Sequence, residues 1–288
     1  MKTHPKTKSD NKTLKAFGFG VGRDILCYMK QTHKTKLYIS LYCVVVVVAL
    51  WALWTVYAPS KHPVEGSENK FDVHYALSLK PPFIYKYYLY EPYKFDQNKE
   101  YPLVVMLHGA SRHMKGAYHA SSYEVQKRYP MFVLVPVAPP LTVWASPHSV
   151  LPQSYSLAKS ATSKIIRQYP IDEKRIYVTG YSLGGAGTFG MLYHYPDLFA
   201  AAIPLCGYWS EDMKDYRKMA ETDAVIKIHH GTRDQYIDYQ KSKEAYYSLR
   251  TLRANVEMIS HNKMNHNIWD KVYKEMEFWE WLNAQSKP

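Results

Sequence analysis

Cysteine is scarce in this chain, and the positions of its cysteines exclude an internal disulfide framework. The sequence has 288 residues and three cysteines, Cys27, Cys43 and Cys206. Only Cys206 lies after residue 70, so no bridge can form within that part of the chain. The scarcity of cysteine does not distinguish an oxidising from a reducing compartment, because many exported domains carry no disulfide.

Metal-binding motifs are also absent, although histidine is frequent. The 13 histidines include no H-E-x-x-H motif and no cluster with cysteine. Such patterns are the sequence signatures of zinc sites. We therefore expect no metal ion to be bound.

The folded part of the chain lacks a strong charge of one sign. Residues 1–36 contain nine Lys or Arg and two acidic residues, which is +7 of the net charge of +12. The other 252 residues share the remaining +5. A nucleic-acid-binding domain needs a basic stripe on its folded surface, so we expect no nucleic-acid partner.

A long apolar segment follows the basic tail. Residues 37–58, LYISLYCVVVVVALWALWTVYA, are 22 residues without charge, Pro or Gly. About 20 apolar residues in a helix span the hydrocarbon core of a bilayer, and the aromatic residues near both ends suit the two interfaces. The segment predicts a transmembrane signal-anchor helix in contact with the lipid bilayer. The alternative is a signal peptide cleaved after Ala58.

The charge asymmetry around this segment predicts the topology of a single-pass membrane protein. Basic flanks stay on the cytoplasmic side, so residues 1–36 should form a cytoplasmic tail, which is polar enough to be disordered. Residues 59–70 contain Pro, Gly and charges without apolar periodicity and are typical of a linker. Residues 71–288 then form a globular domain on the periplasmic, extracellular or lumenal side.

Apolar runs alternate with amphipathic helical patterns through this domain. Residues 103–107 and 131–137 are continuous apolar runs, typical of strands buried on both faces. Residues 150–169 place apolar side chains at steps of three and four, as an amphipathic helix does. The alternation predicts an α/β fold with a mostly parallel central sheet and helices on both faces. Two strand-like runs on either side of Pro81-Pro82 predict an antiparallel hairpin that precedes the parallel strands.

A glycine-rich turn lies between a predicted strand and a predicted helix. Gly180-Tyr181-Ser182-Leu183-Gly184 follows RIYVT and precedes AGTFGMLYHY. This is the strand–turn–helix context of a nucleophile elbow. Gly180 and Gly184 suit the sharp bend, and Ser182 at the helix N-terminus is the candidate nucleophile.

A second motif, His108-Gly109-Ala110, comes directly after the apolar run at 103–107. Acyl transfer needs N–H donors that stabilise a tetrahedral oxyanion. We expect one donor from Leu183, directly after the nucleophile, and the other from Ala110 or Gly109. His108 should brace this loop rather than act as the base.

The acid and the base should follow the nucleophile in that order along the chain. Asp234 comes just past a predicted strand and is the favoured acid. Asp238 is second and fits a helix N-cap, whereas Asp223 precedes the strand.

Two histidines near the C-terminal end of the chain compete for the role of base. His266, in the loop before the last helix, is favoured over His261, which follows the last strand at once. The base removes the proton of the serine hydroxyl and then protonates the leaving group, while the acid fixes its tautomer. His229 and His230 are expected to be structural.

These motifs together resemble the α/β-hydrolase superfamily, over roughly residues 72–286. The strongest matches are VVMLHGA, TGYSLGGAGTFGMLYHYPDLFAAAIPLCGYW, HHGTRDQYI and HNIW. The chain is most similar to the polyhydroxybutyrate-depolymerase, feruloyl-esterase and predicted-peptidase group. One departure is Met264-Asn265 before the last histidine, where relatives often have a glycine.

The resemblance implies a triad of Ser182, Asp234 and His266 that works without metal or cofactor. Carboxylic ester hydrolysis through an acyl-enzyme is the leading hypothesis, with a small-molecule or polymeric ester as substrate. A serine peptidase and an acyltransferase use the same triad, and a non-catalytic binding module is the contrasting class. Trp144, in a loop over residues 138–149, and Tyr181 are candidate substrate contacts; packing is the alternative for Trp144.

Overall fold

A computed structural model describes residues 71–77, 84–139, 144, 153–209 and 212–288. All of them belong to one compact unit, His62–Pro288. Among these residues we find no helix whose length and apolarity would let it cross a membrane. The predicted tail, anchor and linker, residues 1–70, lie outside the described residues, so those assignments stay predictions.

The described part of the chain is built on an eight-stranded sheet in the order β1-β2-β4-β3-β5-β6-β7-β8. The first two strands pair antiparallel with each other, and β2 also pairs antiparallel with β4. Every pairing from β4 through β3 to β8 is parallel. The strands are β1 (Asp72–Leu77), β2 (Ile84–Tyr90), β3 (Tyr101–Leu107), β4 (Phe132–Pro136), β5 (Ile171–Tyr181), β6 (Ala201–Leu205), β7 (Val225–Gly231) and β8 (Val256–His261).

Eight described α-helices connect or flank these strands, together with one 3-10 turn at Pro196–Leu198. They are α1 (Lys115–Ala120), α2 (Tyr123–Arg128), α3 (Gln153–Gln168), α4 (Leu183–His194), α5 (Met213–Ala220), α6 (Tyr239–Thr251), α7 (Trp269–Lys274) and α8 (Met276–Asn283).

Alternate residues of the central strand β3 belong to two different apolar cores, which shows that helices cover both faces of the sheet. Leu103, Val105 and Leu107 pack in the core that also contains residues of α3, α4, α5 and α6. Val104 and Met106 pack in the core that contains residues of α1, α2, α7 and α8. Successive side chains of a strand point to opposite faces, so the mostly parallel sheet covered on both faces is confirmed.

Two local expectations differ from the structure. The short helices α1, α2 and α5 were not predicted, because six to eight residues give too few turns for a clear apolar period. The last helix, expected as one element after His266, is two helices. Glu275, with an extended backbone (φ −71°, ψ 126°), separates α7 from α8.

The fold brings the carboxyl ends of four adjacent parallel strands to one edge of the sheet. The loops after β5, β6, β7 and β8 begin at that edge, in that spatial order. In open parallel sheets, ligands bind outside the carboxyl ends of the strands. This edge is therefore where the sequence motifs should meet.

Candidate active site

Ser182 forms the entire connection between strand β5 and helix α4. Its backbone has φ 58° and ψ −121°, in the left-handed region that non-glycine residues rarely adopt. The N–H of Ser182 donates to the Leu205 carbonyl at 2.9 Å, and its own carbonyl accepts from Ala186 at 3.1 Å. These bonds hold a strained conformation, which typically costs about 1–3 kcal/mol and clusters at functional sites.

Gly180 and Gly184 flank the serine because the bend leaves no room for a side chain. A Cβ atom on Gly180 would lie 2.6 Å from the Leu107 carbonyl oxygen. A Cβ atom on Gly184 would overlap that same oxygen and would lie 2.8 Å from the carbonyl oxygen of His108. The two glycines therefore let the elbow pack against the end of β3, as the motif predicted.

Ser182 is partly accessible to solvent, and its hydroxyl is free of hydrogen bonds to the described residues. It stands at the N-terminus of α4, where free N–H groups and the helix dipole favour negative charge.

Asp234 and His266 form a short charge-assisted hydrogen bond. Nδ1 of His266 donates to Oδ2 of Asp234 at 2.6 Å. The Asp234 side chain is fully buried and that of His266 is 10% exposed. No described residue bonds to Nε2 of His266, so this atom is free to exchange a proton. The sequence predicted these two residues as acid and base.

The Asp234 carboxylate is held by its own loop as well as by His266. Its Oδ1 accepts from the backbone N–H of Tyr236 at 2.9 Å and of Ile237 at 3.0 Å. Burial on its own would raise the pKa of Asp234, but the bonds from His266, Ile237 and Tyr236 together hold it below its usual range. The carboxylate is therefore ionised and can accept from an imidazole at neutral pH.

The loop that carries His266 is fixed against the loop that carries Asp234. The Arg233 N–H donates to the Met264 carbonyl at 2.8 Å, and a Cβ atom on Gly231 would overlap the Asn265 carbonyl oxygen. The Met264-Asn265 departure thus contributes backbone carbonyls to this contact, and Gly231 at the end of β7 leaves room for them.

The structure assigns other roles to the competing acid and base residues. Asp238 accepts from the Gln240 N–H at 2.9 Å and caps α6, and Asp223 lies before β7, at the other end of the strand. His261 pairs with His229 through Nε2 and Nδ1 at 3.1 Å. Burial, followed by the nearby Lys271 and His230, lowers the pKa of His261.

His108 braces the predicted oxyanion loop. Its Nε2 accepts from the Ala138 N–H at 3.0 Å, so Nδ1 carries the proton and donates to the Gly109 carbonyl at 2.8 Å. Burial lowers the pKa of His108 to about 4, which keeps it neutral. Among the described residues, none accepts from the N–H groups of Ala110 or Leu183, which leaves both donors available.

Trp144 and Tyr181 make packing contacts. The Trp144 side chain is 2% exposed and donates from Nε1 to the His108 carbonyl at 2.9 Å. Tyr181 is 6% exposed, donates to the His113 carbonyl at 3.0 Å and stacks on Trp269 at 4.4 Å between ring centroids. These contacts are those of the packing alternative for Trp144, and a substrate contact at either residue stays a prediction.

Sequence reasoning missed one residue at this edge and the details of another. Tyr236, two positions after the acid, was missed; it is 81% exposed, and its ring centroid lies 5.2 Å from that of His266. His230, expected to be a structural histidine near the acid loop, contacts Asp234 itself, with Nε2 at 3.0 Å from Oδ2. The available signal for His230 was its spacing, four residues before the acid at a strand end.

One group of side chains in the described part of the chain has the spacing of metal ligands. Atoms of Cys206, His230 and Asp234 lie within 4.8 Å of one another. The geometry is poorly suited to a metal, because Asp234 Oδ2 already accepts from His266 and Nε2 of His230 is engaged with the Ile237 carbonyl. Burial also raises the pKa of the Cys206 thiol to about 12, and metal binding requires the thiolate.

Comparison with known proteins places the chain in a family. The model of the Phospholipase/Carboxylesterase family matches residues 94–280, more than half of the chain. Poly(3-hydroxyalkanoate) depolymerase C of Paucimonas lemoignei is 32% identical over 115 residues, which is 37% of this chain and 28% of the depolymerase.

Solved structures agree with this placement. A thermostable esterase has 28% identity and a TM-score of 0.69, covering 75% of this chain and 63% of its own. A ferulic acid esterase from Anaeromyces mucronatus has 18% identity and a TM-score of 0.60, covering 77% and 92%, and shows the fold. The chain spans less than two thirds of the length of the depolymerase and of the thermostable esterase. The resemblance drawn from the sequence motifs is confirmed: the chain belongs to the Phospholipase/Carboxylesterase family and has the α/β-hydrolase fold.

Proposed function

We propose that this protein is a serine hydrolase that cleaves carboxylic esters through an acyl-enzyme on Ser182. The observation that carries the proposal is the 2.6 Å hydrogen bond between Asp234 and His266. It stands at the sheet edge that also holds the strained, accessible Ser182. This order of nucleophile, acid and histidine along the chain is the one that α/β-hydrolase triads use.

Packing links the serine turn to the histidine loop. Tyr181, the residue before the nucleophile, stacks on Trp269, whose ring contacts that of His266 edge-on at 5.4 Å. The Cys206 thiol also donates to the His266 carbonyl at 3.4 Å. These contacts support a histidine loop beside the serine turn. The hydrogen bond from Ser182 to Nε2 of His266 would then form when substrate is bound, since catalytic bonds commonly tighten only at that stage.

The proposed reaction proceeds in two halves. His266 Nε2 takes the proton of the Ser182 hydroxyl as its oxygen attacks the ester carbonyl, and the oxyanion accepts from the N–H groups of Leu183 and of Ala110 or Gly109. When the C–O bond breaks, His266 gives its proton to the leaving alcohol. Water then attacks the acyl-enzyme while His266 again acts as the base, and the carboxylic acid product is released from Ser182.

The family and the relatives of the chain favour ester substrates over amides. Its family is named for phospholipases and carboxylesterases, and its relatives include a poly(3-hydroxyalkanoate) depolymerase and esterases. We therefore infer a small-molecule or polymeric carboxylic ester as the substrate.

A substrate panel tests this assignment. We expect p-nitrophenyl esters of graded acyl length to be hydrolysed by the wild-type chain and not by Ser182→Ala. His261→Ala, at a buried histidine outside the triad, should keep most of the activity and serves as the matched control. Turnover of aminoacyl anilides in preference to esters would make the protein a peptidase. Transfer of the acyl group to an added alcohol in preference to water would make it an acyltransferase.

We also propose that residues 37–58 anchor the protein in a membrane with residues 71–288 on the non-cytoplasmic side. The support is the uncharged length of the segment and the basic tail before it. A reporter enzyme that works only outside the cytoplasm, fused after Pro288, should be active. Activity of a cytoplasm-specific reporter at the same position would overturn the topology. Release from the membrane of a chain that lacks residues 1–58 would show the cleaved signal peptide instead.

A further inference from the structure

Beside the proposed triad, a second buried histidine contacts the same carboxylate. His230 has no exposed surface, and its Nε2 lies 3.0 Å from Asp234 Oδ2. On its other side, Nδ1 lies 2.7 Å from the Ser242 hydroxyl of helix α6. His230 thus stands between the acid of the triad and a helix that carries no triad residue.

The hydrogen-bond partners determine the tautomer of His230. Nε2 faces two acceptors, Asp234 Oδ2 and the Ile237 carbonyl at 3.0 Å, so Nε2 must carry a proton. Burial lowers the pKa of His230, despite the opposing effect of Asp234, and the ring is therefore neutral. Nδ1 is then an acceptor, and the single proton of the Ser242 hydroxyl is shared between Nδ1 and the Gly207 carbonyl, which lies 2.9 Å away.

This contact adds a fourth N–H group beside the Asp234 carboxylate. Two backbone N–H groups bond to Oδ1, and His266 donates to Oδ2. The Nε2–H of His230, which donates to the Ile237 carbonyl, lies 3.0 Å from the same Oδ2. Without His230, Oδ2 would lose this polar neighbour in a buried site, and the carboxylate could turn away from His266.

We propose that His230, with Ser242 behind it, is a positioning residue that fixes Asp234 in the orientation that holds the triad histidine. His230 touches neither the substrate nor the reacting atoms. It acts through Asp234, and the inference rests on the serine hydrolase function proposed above. We expect a large contribution of His230 to kcat, because a displacement of a catalytic group by about 1 Å can cost about 100-fold in rate.

Two conservative substitutions separate this role from simple core packing. The side-chain amide of Gln reaches the place of imidazole Nε2, and that of Asn reaches the place of Nδ1. His230→Gln therefore keeps an N–H group beside Asp234, whereas His230→Asn keeps only the partner of Ser242. His230→Phe fills the space with no donor at all.

The experiment measures kcat and KM of the full chain on one p-nitrophenyl ester, together with the thermal unfolding midpoint. For His230→Phe and His230→Asn we expect kcat to fall by about 10- to 100-fold with KM little changed. For His230→Gln we expect kcat within about threefold of wild type. The control is His229→Gln, at a neighbouring buried histidine that pairs with His261 instead of Asp234; it should lower the unfolding midpoint and leave kcat unchanged.

Three outcomes would overturn the inference. They are equal kcat in the Gln and Asn variants, wild-type kcat in the Phe variant, and loss of kcat that follows the unfolding midpoint across all four variants. Ser182→Ala in the same assay distinguishes the two proposals. If that variant stays active, the serine hydrolase function fails. If it is inactive while His230→Phe is not, only the role of His230 fails.

Discussion

Nδ1 of His266 lies 2.6 Å from Oδ2 of Asp234, although 32 residues separate them in the chain. The two residues follow neighbouring parallel strands, β7 and β8, whose loops are joined by the bond from Arg233 to the Met264 carbonyl. The pair is thus a product of strand order, because parallel neighbours place the loops after them side by side.

Asp234→Asn should remove most of the activity and leave the fold intact. An amide can still accept from Tyr236 and Ile237 through one oxygen, but its NH2 group would face the Nδ1 proton of His266 and favour the wrong tautomer. We expect kcat to fall by about 10⁴-fold, as in other triads. The matched control is Asp238→Asn, since Asn caps a helix as well as Asp does. Equal losses in both variants would contradict the assignment of the acid.

Gly184→Ala should destabilise the protein, because its methyl group would overlap the Leu107 carbonyl oxygen and lie 2.8 Å from that of His108. Both obstacles are backbone atoms that cannot move aside easily. We expect a loss of about 1–3 kcal/mol or more in the free energy of unfolding, measured with urea. Ala186→Gly, on the same first turn of α4, should cost only about 1 kcal/mol. A Gly184→Ala variant as stable as wild type would show that the elbow is less crowded.

Acid should destabilise the fold through His108. This residue is 5% exposed, and burial lowers its pKa from 6.5 to about 4. Between these values the unfolded chain binds a proton that the folded chain does not, so stability falls as pH decreases through that window. From pH 7 to pH 5 this single group should cost about 2 kcal/mol.

The comparison with His108→Gln isolates this contribution. The variant keeps a neutral hydrogen-bonding side chain, so its free energy of unfolding should fall about 2 kcal/mol less than that of wild type over the same pH range. Parallel pH dependences of the two proteins would contradict a neutral, buried His108.

Tyr236 should contribute to substrate binding rather than to chemistry. Its ring is 81% exposed beside His266, while its backbone N–H holds Asp234. Tyr236→Ala keeps the backbone bond, so we expect KM for esters with apolar acyl groups to rise by about 3- to 10-fold with kcat nearly unchanged, as for the loss of one apolar contact. Tyr247→Ala, which removes a 57% exposed ring on α6, is the control. An unchanged KM in the first variant would show that the ring does not contact substrate.

Local patterns were sufficient to predict much of the sheet and the motif residues. Residues 103–107 were assigned to a strand and Ser182 to an elbow because apolar runs and a glycine-flanked turn are signals carried within a few residues. Asp234 and His266 were found because each follows a predicted strand, and their contact then depends only on strand order.

Contacts between distant segments were harder to predict. His229 and His230 are adjacent and of one type, yet alternation along β7 directs His229 toward Phe278 and His230 toward Ser242. Nothing near His230 in the sequence identifies Ser242 as its partner. Trp144 was ambiguous for the same reason, since its partner, the His108 carbonyl, lies 36 residues away.

Covalent trapping of Ser182 tests the central claim most directly. The full chain would be treated with a fluorophosphonate, digested with trypsin and analysed by mass spectrometry. We predict one added phosphonyl group on the peptide that follows Arg175, at Ser182, with much slower labelling of His266→Ala and normal labelling of His261→Ala. Absence of the adduct from folded protein, or its formation at another serine, would contradict the account.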